Sequence, residues 1–209
     1  MRESVRLTTE TLMRGVRALS RCDRDLSQIA RRLGPPPMLA RRPGFPTLIH
    51  IILEQQVSLA SARAAFDRLR ALASPLTPAR FLELDGAALK TAGFSRQKAG
   101  YGRQLAQAIL SGELKLRSLH RKDDESVRAE LLKIRGIGRW SADIYLLMAL
   151  RRPDVWPTGD LALAVAVQRV KRLSARPSYE ALDAMSEAWR PWRSVAARLL
   201  WHYYLAGVS

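Results

Sequence analysis

Gly136-Ile137-Gly138 constrains the fold of this chain more tightly than any other stretch. Before it, Asp123 to Lys133 is a polar run of helix-favouring residues; after it, Arg139 to Leu150 carries apolar residues at helical spacing. Three residues are too few for an ordinary loop, and two helices joined this closely need backbone conformations that glycine reaches at low cost. The turn also leaves the first N–H groups of the second helix facing outward, beside Arg139 and at the positive end of a helix dipole. That arrangement suits an anion such as a backbone phosphate. A purely structural helical hairpin would show the same glycines, so the reading depends on the rest of the chain.

The rest is punctuated helix. Thr8 or Thr9 can cap a helix running to Leu19, and Asp25 a second ending at Leu33 before Gly34. Pro35-Pro36-Pro37 is an extended linker, and Pro46 suits a first helical turn. The apolar run Leu48, Ile49, Ile51, Ile52, Leu53 reads as a buried helix that enters the turn Glu54-Gln55-Gln56-Val57-Ser58. Ser58, Thr77, Asp85, Ser95, Asp123, Asp160 and Ser178 are further caps, and Pro191 is placed to open a last helix. Strand patterns are nearly absent, so the expectation is an all-α, two-lobed chain of roughly ten helices. The Pro35–Pro46 linker and the 151–159 loop divide it into a lobe of residues 1–45 with 153–209 and a lobe of 46–152 that holds the hairpin.

Composition narrows the partners. Lys and Arg total 35 against 19 Asp and Glu, a formal charge of +16 in 209 residues, which points to a polyanion. Arg96, Lys98 and Arg103 share one helix and either add to a basic face or are simply solvated. The single cysteine, Cys22, excludes an internal disulfide and a cysteine-ligated iron–sulfur cluster. No apolar run reaches the roughly 18 residues of a membrane span, and the N-terminus lacks a signal-peptide core. The chain therefore reads as soluble and intracellular, without membrane contact.

Asp160 follows the second hairpin glycine by 22 residues (160 − 138). A helix from Arg139 to Leu150 would be about 18 Å long, so the loop after it can return Asp160 to the hairpin's face. By itself, an aspartate before an apolar run reads first as a plain N-cap, the commonest use of that residue there. The combination is more informative. Leu132-Lys133-Ile134-Arg135-Gly136-Ile137-Gly138-Arg139-Trp140-Ser141-Ala142, followed by Trp156-Pro157-Thr158-Gly159-Asp160, resembles the helix-hairpin-helix (HhH-GPD) DNA glycosylase superfamily. Within it the chain looks like the 3-methyladenine DNA glycosylase II family in a compact all-helical form. Ile52-Leu53-Glu54-Gln55-Gln56-Val57-Ser58 and Trp189-Arg190-Pro191-Trp192-Arg193-Ser194 extend the similarity.

The resemblance implies a monomeric base excision repair enzyme acting on damaged double-stranded DNA in a bacterial-type cytoplasm, with its active site between the lobes. Asp160 matches the catalytic aspartate, where a carboxylate stabilises the oxocarbenium charge of a breaking glycosidic bond. Trp201 matches a base-pocket aromatic and Trp140 lies near it, while Trp156 belongs with Trp192, Trp201, Tyr203 and Tyr204 to an aromatic cluster in the C-terminal third that suits a cationic alkylated purine; Trp189 and Trp192 read rather as core. Gln56, with Gln55 beside it, matches the turn that wedges into the gap left by a flipped nucleotide, although a Gln pair can also satisfy helix ends. Gly136, Gly138 and Arg139 would meet the DNA backbone. The carbonyls of Leu132, Ile134 and Ile137 match positions that hold Na+, K+ or Mg2+, with no cofactor required. Where strand-cutting relatives place a Schiff-base lysine this chain has Trp140, and Arg139 stays protonated, which implies a monofunctional hydrolase. A non-catalytic hairpin DNA-binding protein and a glycosylase for deaminated or oxidised bases are the alternatives.

Overall fold

The computed structural model describes residues 6–207, and among these there is no strand. In chain order the α-helices are α1 (Thr9–Cys22), α2 (Arg24–Leu33), α3 (Phe45–Glu54), α4 (Leu59–Leu72), α5 (Pro78–Glu83), α6 (Gly86–Thr91), α7 (Arg96–Leu110), α8 (Asp124–Leu132), α9 (Arg139–Ile144), α10 (Leu161–Val170), α11 (Tyr179–Ser186) and α12 (Arg193–Leu205). The basic connector after α7 forms a 3-10 turn over Leu116–Arg121. The expected caps at Ser58, Thr77, Asp85, Ser95, Asp123, Asp160 and Ser178 each accept the backbone N–H three residues on. Two ends differ from expectation. Asp23 rather than Asp25 caps α2, because its carboxylate reaches the N–H groups of both Asp25 and Leu26. The last helix opens at Arg193 instead of Pro191, after a 3-10 turn over Glu187–Trp189.

The chain forms two compact units, one of Met1–Ala40 with Leu146–Ser209, the other of Arg41–Tyr145. The divisions lie near the expected ones but not on them. The second falls inside the hairpin's trailing helix, which continues from α9 through a π-helical turn over Tyr145–Ala149 instead of running as one α-helix to Leu150. The physical reason is what that turn bonds to. Its Leu146 carbonyl accepts the Arg152 N–H and its Leu147 carbonyl accepts the Arg198 guanidinium, both within the first unit.

The core of the Arg41–Tyr145 unit is α3, whose Leu48, Ile49, Ile51, Ile52 and Leu53 are all buried. Phe45, Phe81 and Phe94 meet edge-on beside it, and α7 approaches closely at Gly102, where a Cβ would collide with the Phe81 ring. In the other unit α12 is the central helix, buried from Ser194 to Trp201, with α1, α2 and α10 around it. Arg198 sits fully buried in this helix without a carboxylate. Its three nitrogens donate to the carbonyls of Met38, Ser194 and Leu147, and burial pulls its pKa down to about 10.

Asp23 also joins three elements of this unit. It accepts Lys171 Nζ at the end of α10 and the Trp189 indole N–H at 2.9 Å while capping α2. Burial works to raise its pKa, but the hydrogen bonds from Lys171, Trp189 and Leu26 outweigh it and hold the carboxyl below its ordinary value. A depressed folded-state pKa gives stability above the unfolded value, lost as pH falls through the folded one. Asp23→Asn keeps the cap but not the charge. Urea unfolding should show it less stable than wild type at pH 7, with the difference closing as pH drops below about 4.

Candidate active site

In the Arg41–Tyr145 unit the hairpin is built from alternating buried and exposed residues. Ile134 and Ile137 are buried, while Lys133, Arg135, Gly138 and Arg139 face outward. The turn closes through Ile134 N–H to the Leu131 carbonyl and Ile137 N–H to the Ile134 carbonyl. Its two glycines do different things. Gly136 has φ +92°, and a Cβ there would overlap the Tyr101 ring, so the fold itself excludes any larger residue. Gly138 has φ −90° with nothing within 4 Å of a built Cβ, and it opens α9 without a side-chain cap. The fold does not need glycine at 138; a ligand that approaches the backbone closely would.

Beneath the turn, Asp143 is fully buried between two arginines. Arg128 Nε donates to one carboxylate oxygen at 2.6 Å and Arg139 Nε to the other at 3.1 Å. Burial pushes the Asp143 carboxyl above its ordinary range against both guanidiniums. The Arg139 side chain is 54% exposed, so its guanidinium is held at Nε by Asp143 while its outer edge stays accessible. Trp140 is half-buried in the first turn of α9.

The Gln55-Gln56 turn differs from expectation in one respect. Gln55 is turned inward: its amide donates to the Gly136 carbonyl at 2.8 Å and to Ser141 Oγ at 3.0 Å. The side chain at the tip is therefore Gln56 alone, which is exposed, has φ +56°, and is followed by Val57 at 46% exposure. Lys98 and Arg103 do not form a basic face. Lys98 Nζ bonds the carbonyls of Leu53 and Gln55, and Arg103 bonds those of Leu82 and Leu84. Burial lowers the Lys98 pKa.

In the other unit, the loop before α10 delivers Asp160. Nothing in its sequence would order it alone, and the start of α12 does so. The Ser194 N–H donates to the Pro153 carbonyl, and Ser194 Oγ both accepts the Val155 N–H and donates to the Val155 carbonyl. Arg193 Nε donates to Asp154 Oδ1 at 2.9 Å and its Nη2 to the Asp154 carbonyl at 2.9 Å. Thr158 Oγ1 bonds Asp183, and Gly159 turns the chain with φ +86°. Asp160 then caps α10, its Oδ1 accepting the Leu163 N–H at 2.9 Å and the Trp201 indole N–H at 3.2 Å. These donors orient the carboxylate, and the residue as a whole is only 9% exposed. Trp156 is buried against Trp189, with ring centroids 5.3 Å apart, and so floors the loop. Trp192 packs beside Gly15 of α1.

A tight glycine hairpin and a buried, doubly hydrogen-bonded aspartate on a clamped loop are thus both in place. The family model described as HhH-GPD superfamily base excision DNA repair protein matches residues 49–193. The chain belongs to the HhH-GPD superfamily. The Schizosaccharomyces pombe protein named DNA-3-methyladenine glycosylase 1 is 27% identical over 190 residues, 88% of this chain and 83% of its own length. The Bacillus subtilis relative YfjP is 36% identical over 124 residues, but these are 59% of this chain and only 43% of that protein. Among solved structures, the S. pombe 3-methyladenine DNA glycosylase in complex with abasic DNA matches with a TM-score of 0.83 and 26% identity, over 94% of this chain and 99% of that one.

Arg193, Ser194 and Asp154 were missed as functional residues by sequence reasoning. The signal was slight: a serine and an arginine opening an apolar helix, 39 residues beyond the loop they hold. The two HhH-GPD glycines lead to opposite expectations in thermal unfolding. Gly136→Ala should lose about 2 kcal/mol or more from its left-handed backbone and the Tyr101 overlap. Gly138→Ala should lose less than about 1 kcal/mol.

Proposed function

We propose that this chain is a monofunctional DNA glycosylase that hydrolytically releases alkylated purines of the 3-methyladenine type from double-stranded DNA and leaves an abasic site. It acts as a monomer on nucleoid DNA. Asp160 carries the reading: a nearly buried carboxylate, fixed by Leu163 N–H and Trp201 N–H, on a loop held at several points. A cap alone would not require that loop to be clamped by a second helix. The likeness to the S. pombe enzymes supports the choice of lesion.

The chemistry follows from the leaving group. An alkylated purine carries positive charge, so cleavage of the bond from C1′ sends the bonding electrons to the base, which departs neutral. The sugar is left with oxocarbenium character, and the Asp160 carboxylate stabilises that charge in a water-poor setting. Water then adds to C1′ and gives up its proton, with Asp160 as the acceptor. Trp201 presents a ring beside the carboxylate it orients, and an electron-rich face suits a cationic base. At the hairpin, Gly138 and Arg139 contact the backbone phosphate while the exposed Gln56 enters the gap left by the extruded nucleotide. The carbonyls of Leu132, Ile134 and Ile137 are neutral oxygens, and the Ile137 N–H to Ile134 carbonyl bond still leaves a lone pair there. They would hold a Na+, K+ or Mg2+ ion, adding positive charge beside the phosphate. No amine nucleophile stands at position 140, where an indole cannot form the Schiff base that strand cleavage requires.

Single-turnover release of 3-methyladenine from alkylated duplex tests this directly. Asp160→Asn retains the cap and should fold as wild type, yet release base about 100-fold or more slowly. The product strand should stay intact until treated with alkali, and borohydride should trap no protein–DNA adduct. Equal, negligible release by both proteins with tight duplex binding would favour a non-catalytic module. Release of only deaminated or oxidised bases would reassign the lesion.

A further inference from the structure

The turn between α3 and α4 is exposed at Gln56, Val57 and Ser58, so water could satisfy the free carbonyls at the end of α3. The structure uses a partly buried lysine instead. Lys98 Nζ lies 2.8 Å from the Leu53 carbonyl and 2.7 Å from the Gln55 carbonyl, one on each side of the helix end. This costs desolvation of an ammonium group, which no helix terminus at a wet surface requires. Gln55, at the same turn, sends its amide to Gly136 and Ser141, 81 and 86 residues away in sequence. Three residues after Lys98, on the same face of α7, Tyr101 lies against Gly136, and its hydroxyl accepts the Gln97 amide. One helix thus touches both the turn and the hairpin, and one glutamine ties them to each other.

We propose that Lys98 and Gln55 are positioning residues that lock the Gln56 tip to the hairpin, so that insertion into the duplex and grip on its backbone occur in fixed register. This rests on the reading of Gln56 as the inserting side chain. Extruding a nucleotide costs stacking and pairing energy, and the open state persists only while the gap stays filled. A tip free to retract would let the base return to the stack. Backbone binding would be unaffected, because the hairpin's phosphate-facing groups do not depend on Lys98. Gln55 is the mechanical link and Lys98 the anchor of the backbone that bears it.

The test separates extrusion from binding. Lys98→Met keeps the stem and loses the donors; Lys98→Arg restores a cation with donors; Gln55→Met cuts the link to the hairpin without touching a charge. Each is compared with wild type and Gln56→Ala for thermal unfolding, affinity for undamaged duplex and its salt slope. Fluorescence of 2-aminopurine placed next to the lesion and single-turnover release of alkylated base complete the set. Lys98→Met and Gln55→Met should lose about 10–100-fold in release, with a matching loss of the 2-aminopurine signal. Duplex affinity and salt slope should stay within about twofold, and Lys98→Arg should recover most of the loss. If Lys98→Met is too unstable to measure, Gln55→Met decides alone. Wild-type release and extrusion in Gln55→Met, or loss of duplex binding in step with extrusion, overturns the proposal. Insensitivity of extrusion to Gln56→Ala would instead overturn the wedge reading beneath it. Absence of base release from wild type would overturn the proposed function, and extrusion measured opposite an abasic site would still report on the brace.

Discussion

The unit that carries Asp160 depends on a contact made between irregular chain and a helix start. The loop from Pro153 to Gly159 has no ladder or helix of its own, and an unsupported loop of that length would sample many conformations. Ser194 removes that freedom by bonding Val155 in both directions, and Arg193 does so by gripping the side chain and carbonyl of Asp154. α12 supplies the Trp201 N–H as well, two turns further on. This one helix therefore contributes both to the order of the loop that carries Asp160 and, together with the Leu163 N–H, to the orientation of its carboxylate.

The hairpin is held by different physics. Its turn is nearly all backbone, so shape is imposed from outside: the Tyr101 ring fills the space a side chain at 136 would take. Below it, Asp143 binds Arg128 and Arg139 together. Ion pairs this deep give little net stability, because desolvation offsets the attraction, but they fix geometry, and removing one partner leaves an uncompensated charge. The geometry fixed here is that of the Arg139 guanidinium, held at Nε while its outer edge remains available.

Much of this was legible in the sequence, and the divide between what was and was not is physical. Helix starts were legible because a cap is a local bond spanning three residues: Ser58, Thr77, Asp85, Ser95, Asp123 and Ser178 all act as expected. Asp23 displaced Asp25 because Lys171 and Trp189, remote in sequence, converge on it. The inward turn of Gln55 and the clamp on Asp154 were illegible for the same reason. Two adjacent glutamines look alike in sequence, and only the tertiary position of Gly136 and Ser141 distinguishes them. The π-helical turn was hidden too, since its apolar residues satisfy an α-helical pattern equally well.

The charge of the chain also has a second explanation besides its partner. Lys98, Arg103 and Arg198 all spend their donors on backbone carbonyls and none of these bonds is to a carboxylate. Arg68 does likewise with the Ala92 carbonyl, and Arg80 with that of Ser74. A cation that caps carbonyls needs no acidic residue to neutralise it. Lys98, Arg103 and Arg198 thus add to the excess of 35 basic over 19 acidic residues while their donors are turned into the protein. The formal +16 overstates the number of charges available to phosphates, because some of the long basic side chains are engaged with carbonyls at helix ends and elsewhere in the backbone. Arginine suits bonding to carbonyls, since its planar fork can serve two or three of them at once, as Arg198 does for Met38, Ser194 and Leu147.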